Sequence, residues 1–456
     1  MILCVVAIIA CQPVVVPVSP TNAQATTVAA TVRACDFVPG KSVPAYIPPS
    51  NSSPLPTPVP IPMTFTNIKI ESVTLARQMN LYYQIDGDII NHYVYADYNG
   101  KDWKAISLKY KELIQNGLSQ TDFYLALQQM VSELGDSRAY FLSPSGQARQ
   151  RALAADNELV GIGVLTSPIS DQGQIINALN WVFPGSPADK AGLKPHDVIL
   201  KVNGEPFIGA NDNTLTLGPA GSSVTVTIRS GDMAQKDVKM NISKVNQTSL
   251  VDYCLVPGTR IGYMRWEELK YPSIVDQTVD ALNQMSGLNP LQGLILDQRM
   301  INNSNYTVLQ LLLGLFTGGV QGSFVSNRVD QNLTPVPFTA NPVTDVSGSL
   351  NVPLVVIQDE TTGDAALFEG LLQLAGRAKI VGQTSKGDAY LQYVDDFPDG
   401  STLVLPSMTF QPNGKIPGYW DKTGVIPDVS VSGRWDQYSE SNDPYLAKAL
   451  ELLMKK

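Results

Sequence analysis

Histidine is almost absent from this chain: two residues in 456, His92 and His196. Imidazole is the usual general base and metal ligand near neutral pH, so most histidine-centred chemistry is excluded at the outset. Cysteine is nearly as scarce. Cys4 and Cys11 belong to the apolar N-terminal run, which leaves Cys35 and Cys254 for the rest of the chain. There is no CxxC pair and no Cys/His cluster, so no zinc site is expected. In an oxidising compartment those two cysteines pair or remain free thiols, and the sequence leaves both open. Positive charge is also in deficit, with 32 Lys and Arg against 41 Asp and Glu, a net charge of −9 and no long basic run. A nucleic-acid partner needs a concentrated cationic face, and none is available. No pattern calls for a cofactor.

What is present begins with Met1–Ala10, an apolar run shorter than the roughly 20 residues of a spanning helix. It reads as the hydrophobic part of an export signal. Ile8-Ile9-Ala10-Cys11 resembles a bacterial lipobox, which implies Cys11 as the lipidated residue. The usual basic stretch ahead of such a run is missing, because the first basic residue is Arg33. Residues 1–20 are therefore taken as a signal and lipobox segment, and residues 21–62 as a tether. Twelve of the 32 prolines fall within residues 12–62. Proline removes backbone donors and favours extended chain, so a semi-rigid spacer is expected there and no folded unit. The expected product is exported to the cell envelope or beyond and meets a membrane only through its lipid.

Residues 63–150 read as helical. Apolar residues recur three and four apart in DWKAISLKYKELIQNGLSQTDFYLALQQMVSELGDS, and Ser119 with Asp122 is a helix-start signal. Residues 158–245 change to short β-rich runs between glycine turns. Within them FPGSPADKAGLKPHDVILKVNGEPF resembles the core of a PDZ domain. In that resemblance Gly161-Ile162-Gly163 is the loop that receives a peptide's C-terminal carboxylate on backbone N–H groups. His196 stands in a turn where such domains usually have glycine, and it is expected to be exposed. Residues 251–435 alternate strand and helix, as βα units on a mostly parallel sheet do. Residues 436–456 close the chain as a helix. The expected fold is an α/β core with a helical N-terminal cap and a β-rich PDZ domain.

This order of domains, with the motifs LGDSRAYFLSP, IGYMRW, GLILDQR, PLVVIQDE, GRAKIVGQTSKG and TGVIPDVSV, resembles the C-terminal processing, or tail-specific, peptidases. The resemblance runs from about Thr64 to Val431. It implies a serine nucleophile in the turn after the LVVIQ run, a lysine or histidine base, and a glycine-rich loop donating to the oxyanion. None of the three is in place. Laying DETTGDAALFEG over the family's N-E-G-S-A-S-A-S-E puts Asp364, or Gly363 after a one-residue shift, at the serine. A carboxylate there is a poor nucleophile, and Asp364 is expected to cap the following helix instead. The histidine segment reads Gly135-Asp136-Ser137-Arg138-Ala139, and an arginine cannot act as a general base. Lys386 falls two places early for the lysine base. The oxyanion loop reads Met300-Ile301-Asn302-Asn303-Ser304-Asn305 and has no glycine, although asparagine tolerates left-handed backbone and could preserve some donor geometry.

Three reactive elements depart together. The sequence thus points to a pseudopeptidase that binds peptide C-termini or partner proteins. The rival is an active peptidase using Thr361 or Thr362 with Lys386, and a third reading is a purely structural envelope protein.

Overall fold

The run Gly293–Asp297 is buried at all five positions, as a strand covered on both faces must be. It lies in the middle of a six-stranded sheet. In a computed structural model of the chain, residues 32–39, 65–148, 158–171, 174–206, 219–231, 233–246, 249–301, 304–328, 333–341, 345–360, 362–363, 365–387 and 389–455 are described. Cys11, the whole signal segment and most of the tether lie outside them.

The sheet's strands are β1 (Val251–Leu255), β2 (Ile261–Trp266), β3 (Gly293–Asp297), β4 (Leu354–Gln358), β5 (Ala378–Gly382) and β6 (Val429–Ser430), side by side in that order. β1 is antiparallel to β2, and every later pairing is parallel. Parallel neighbours require crossovers. Helix Ser273–Ser286 links β2 to β3, and helix Ala366–Leu374 links β4 to β5. Alternation along the strands divides the core. Leu294, Leu296, Leu354 and Val356 pack with Leu367 and Phe368 of the second crossover helix. Ile295, Val355 and Ile357 face the other way, onto Tyr445, Leu446 and Leu450 of helix Pro444–Met454. At the end of β5 the backbone of Gly382 passes so close to the Gln358 carbonyl that a Cβ would collide with it.

The helical cap is made of Ser72–His92, Trp103–Gln115 and Gln120–Ser132. Ser119 caps the third helix, its hydroxyl accepting the Asp122 N–H at 3.1 Å. The cap's apolar faces bury Ile85, Ile114, Leu127 and Met130 with Phe141, Leu403 and Leu405. Those last residues belong to an antiparallel sheet built from Tyr140–Leu142, Thr402–Pro412, Gly319–Val325, Val336–Ala340 and Tyr390–Asp396. The βα reading of 251–435 therefore describes the six-stranded sheet but overlooks a second sheet that carries the cap.

The β-rich domain spans Glu158 to Asn246. Its main sheet runs Val164–Asp171, Gln174–Val182, Asp197–Val202, Ser223–Ser230, Lys236–Asn241, so Val164–Asp171 is an edge strand.

Eight residues of the expected tether are not spacer. Segment 32–39 lies along the edge of β1, with Cys35 N–H donating to Leu255 O at 3.0 Å and Leu255 N–H to Arg33 O at 3.0 Å. Cys35 and Cys254 are joined as a disulfide, which resolves the pairing that the sequence left open. Arg33 meets Asp252 at 3.1 Å and Glu440 at 3.5 Å. Phe37 is buried edge-on to Tyr263, with ring centroids 5.6 Å apart. An apolar Phe37 and a bondable Cys35 outweigh the spacer character of the surrounding prolines.

Candidate active-site cleft

The loops after β3, β4 and β5 meet at the carboxyl end of the sheet, where open parallel sheets place their sites. Gly363 N–H reaches Ile301 O at 3.4 Å, and Lys386 N–H donates to Thr362 O at 2.9 Å. Ser385 ties the third loop to the chain beyond it, its hydroxyl accepting Val425 N–H at 2.9 Å. Gly387 keeps that loop close, because a Cβ there would strike the Trp420 carbonyl.

Thr362 and Lys386 are neighbours through backbone only. The Thr362 side chain is fully buried and directed to Asp359 and to Gln298 O, at 3.3 to 3.5 Å. The Lys386 side chain is exposed, and no hydrogen bond joins its ammonium to the Thr362 hydroxyl. Burial and the Asp359 charge raise the nearby Glu360 carboxyl, against the pull of Lys386. Thr361 and Asp364 lie outside the described residues. The N-cap position of helix Ala366–Leu374 falls on Ala365, which supplies no side-chain acceptor, so the capping position expected at Asp364 is displaced by one residue.

Arg138 is clamped. Its Nε and Nη2 donate to the two oxygens of Asp136 at 2.6 and 2.8 Å, and its guanidinium lies 3.8 Å over the Tyr390 ring. Tyr93 adds a hydrogen bond to Asp136 at 2.9 Å. Burial opposes the Asp136 charge, but the Arg138 bonds outweigh it and lower the carboxyl below its ordinary range. Tyr95 and Tyr390 both donate to Asp421, so this cluster joins the cap to the core. Ser137 beside it is exposed.

Among the described residues of the oxyanion-equivalent loop, Met300 is the left-handed one, with φ +66°. The Met300 N–H is directed at Asp359 Oδ1, 3.5 Å away, and its side chain is buried with Ile176, Ala178, Val198 and Trp435. Apolar packing against the β-rich domain fixes the strained residue. Asn302 and Asn303 are outside the described residues. Ser304 is half-buried, with a hydroxyl that finds no partner among the described residues. Asn305 caps helix Tyr306–Gly314, accepting Thr307 N–H at 2.9 Å and Val308 N–H at 3.3 Å.

In the Gly161-Ile162-Gly163 loop all three residues are buried, and Gly163 has φ +82° with Ser186 where a Cβ would go. The carbonyls of Ile162 and Gly163 accept Ala188 N–H at 2.9 Å and Phe183 N–H at 3.0 Å. Among the described residues no acceptor takes the Ile162 or Gly163 N–H. The loop therefore offers donors beside the free edge of Val164–Asp171.

The junction between this domain and the core was invisible to sequence reasoning. His196 is buried, contrary to expectation. It stacks on Trp435 with centroids 3.7 Å apart, and its Nδ1 lies 2.8 Å from Trp435 O. Trp435 Nε1 donates to Leu179 O at 2.9 Å, Arg229 pairs with Asp436 at 2.6 Å, and Arg265 donates to Asn180 O. Burial, with the Arg299 charge, pushes the His196 imidazole down to about 3. A folded-state value below the unfolded one means stability is lost as pH falls from about 6.5. By pH 5 that amounts to about 2 kcal/mol. Denaturant midpoints at pH 7 and 5 should differ accordingly, and the difference should shrink in His196→Asn; an equal drop in both proteins would assign it elsewhere.

The fold and site define a class: a mostly parallel βα core with a helical cap and an inserted β-rich domain. Residues 260–431 match the model of peptidase family S41, 179–230 that of a PDZ domain, and 84–132 that of the tricorn protease C1 domain. The carboxyl-terminal-processing protease of Synechocystis sp. is 26% identical over 372 residues, covering 77% of this chain and 80% of that one. The protein of the same description from Picosynechococcus sp. is 27% identical over 385 residues, covering 79% and 86%. Among solved structures, a photosystem II D1 C-terminal processing protease is similar in fold, with TM-score 0.55 at 22% identity over 80% of this chain and 94% of that one. The core is thus similar to peptidase family S41 over residues 260–431, joined to a PDZ-like domain, and the curated relatives it matches are carboxyl-terminal-processing proteases.

Proposed function

We propose that this chain keeps the family's peptide recognition without its peptide cleavage. The observation that carries the reading is Thr362, the one described hydroxyl in the nucleophile turn. It is fully buried and bonded away from Lys386, where an acyl-transfer nucleophile must be open and paired with a base. Arg138 stays protonated against Asp136, and the Met300 N–H points to Asp359 instead of into the cleft. The PDZ loop has no such defect. Its ligand is a peptide or protein C-terminus whose carboxylate meets the Ile162 and Gly163 N–H groups, while the peptide backbone extends the sheet at Val164–Asp171. Affinity on the order of micromolar fits a short strand that must be ordered on binding.

Export is part of the proposal. A buried disulfide forms in oxidising compartments, and the segment ending at Cys11 fits lipid attachment. Mass spectrometry of the mature N-terminus tests this: an unacylated first residue near Ala25 would replace the lipoprotein by a soluble product.

The purified full chain is to be incubated with casein and with peptides bearing apolar C-termini. No turnover is expected, together with calorimetric binding that weakens when the peptide C-terminus is amidated. Cleavage abolished by Thr361→Ala, Thr362→Ala or Lys386→Ala would restore the peptidase. Equal affinity for acid and amide would remove the carboxylate site.

A further inference from the structure

Beneath the nucleophile turn lies a set of polar groups that the cleft does not use. Gln298 follows β3 by one residue and Gln358 is the last residue of β4, and Gln298 N–H donates to Ile357 O at 2.8 Å, extending the ladder that pairs Asp297 with Ile357. The two glutamines are therefore adjacent in register. Side chains alternate along a strand, so both fall on the face of Leu296 and Val356, the face covered by helix Ala366–Leu374. Glu369 lies in the first turn of that helix, where side chains lean back toward the helix start.

All three side chains are completely buried. The atoms without a partner among the described residues are Nε2 and Oε1 of Gln298, Oε1 of Gln358 and both carboxyl oxygens of Glu369. Gln358 cannot turn to help, because its Nε2 is held by Gln383 O and Val425 O, each at 2.7 Å. Burial, with a contribution from Asp359, raises the Glu369 carboxyl well above the ordinary range and so favours its neutral form. An unsatisfied buried polar atom costs about 1 to 3 kcal/mol, so five on these three side chains require partners.

We infer that Gln298, Gln358 and Glu369 enclose an internal hydration site, one or a few water molecules held under the turn where the family keeps its nucleophile. The inventory matches water on both sides. Gln298 supplies two N–H donors and neutral Glu369 one O–H, while Gln298, Gln358 and Glu369 each supply a carbonyl acceptor. A bound cation would leave the Gln298 amide N–H groups orphaned, whereas a water both donates and accepts. A water needs two to four polar partners, and these three side chains provide them. The site stands independently of peptide binding at the PDZ loop. It makes the cleft floor a hydrated, neutral layer in place of a dry apolar one.

A high-resolution crystal structure of the full chain tests this directly. Water density within hydrogen-bond distance of at least two of the three side chains is expected, and no xenon uptake there under pressure. An empty chamber that takes xenon, or direct pairing of the three side chains, would overturn it. So would density at cation distances with a melting temperature that responds to calcium chloride or EDTA. Glu369→Gln keeps a neutral hydrogen-bonding group and should move the melting temperature by less than about 2 °C, whereas Glu369→Leu, which strips water partners, should lower it by about 3 to 5 °C. A Glu369→Leu variant as stable as the parent would refute the hydrated site, because it would show that the glutamines do without a bridged partner.

Discussion

Loss of the Cys35–Cys254 bond is expected to destabilise the chain by about 5 kcal/mol, from the closure of a loop with a sequence separation of 219. The double variant Cys35→Ser, Cys254→Ser should unfold at a clearly lower guanidinium concentration than the parent. The parent under reducing agent should resist until unfolding begins, because both sulfurs are buried. Without the bond, segment 32–39 is held by the backbone ladder to Leu255, the Arg33 ion pairs, the Asp36 contacts with Glu440 and Lys194, and the Phe37–Tyr263 contact. Surface pairs such as Arg33–Asp252 contribute at most about 1 kcal/mol each. Equal midpoints for parent and double variant would mean that the segment gains nothing from being covalently fixed.

Arg299→Leu should cost 3 to 5 kcal/mol or prevent folding, the usual result of stripping a buried charge of its partner. Arg299 is fully enclosed and donates to Asp297 at 2.6 and 2.9 Å, to Asp443 at 2.7 Å and to Tyr438 at 3.1 Å. Burial works against the charge of both acids. Asp297 nevertheless stays below the ordinary carboxylate range through Arg299, whereas Asp443 is raised. Removing the guanidinium leaves two carboxyls in an apolar cluster with Tyr263 and Tyr445. Adding Asp443→Asn to Arg299→Leu should recover part of the loss, because one acid no longer needs a counter-charge. Thermal unfolding of the two variants measures it; a double variant no more stable than the single would place the damage in packing and not in charge.

Asp443 shows what the sequence could and could not disclose. Its capping of helix Pro444–Met454, accepting Tyr445 N–H at 2.8 Å, is a local event in the DPYLAKAL stretch. Its pairing with Arg299 spans 144 residues and leaves no local mark. The same division runs through the molecule. Ser119, the helical spacing, the strand GLILD and the PDZ turns are short-range patterns, and they gave the architecture. His196 misled because it stands in a turn where PDZ domains usually have glycine, while the ring that buries it, Trp435, arrives 239 residues later. Met300 was passed over because apolar residues rarely adopt left-handed backbone. Here packing against Ile176 and Val198 compensates the strain. In the cleft, residue types alone indicated a missing base at Arg138, but only the coordinates reveal how fully its guanidinium is engaged by Asp136.

The disulfide also determines how the molecule would carry a mechanical load. The bond closes a ring from Cys35 to Cys254, and the helical cap and the PDZ domain both lie inside that ring. Tension applied to the chain ahead of Cys35 passes through the sulfurs to β1 and into the core sheet, bypassing both domains. A single backbone cut anywhere between residues 36 and 253 would likewise leave one covalent molecule, its two pieces separating only after reduction.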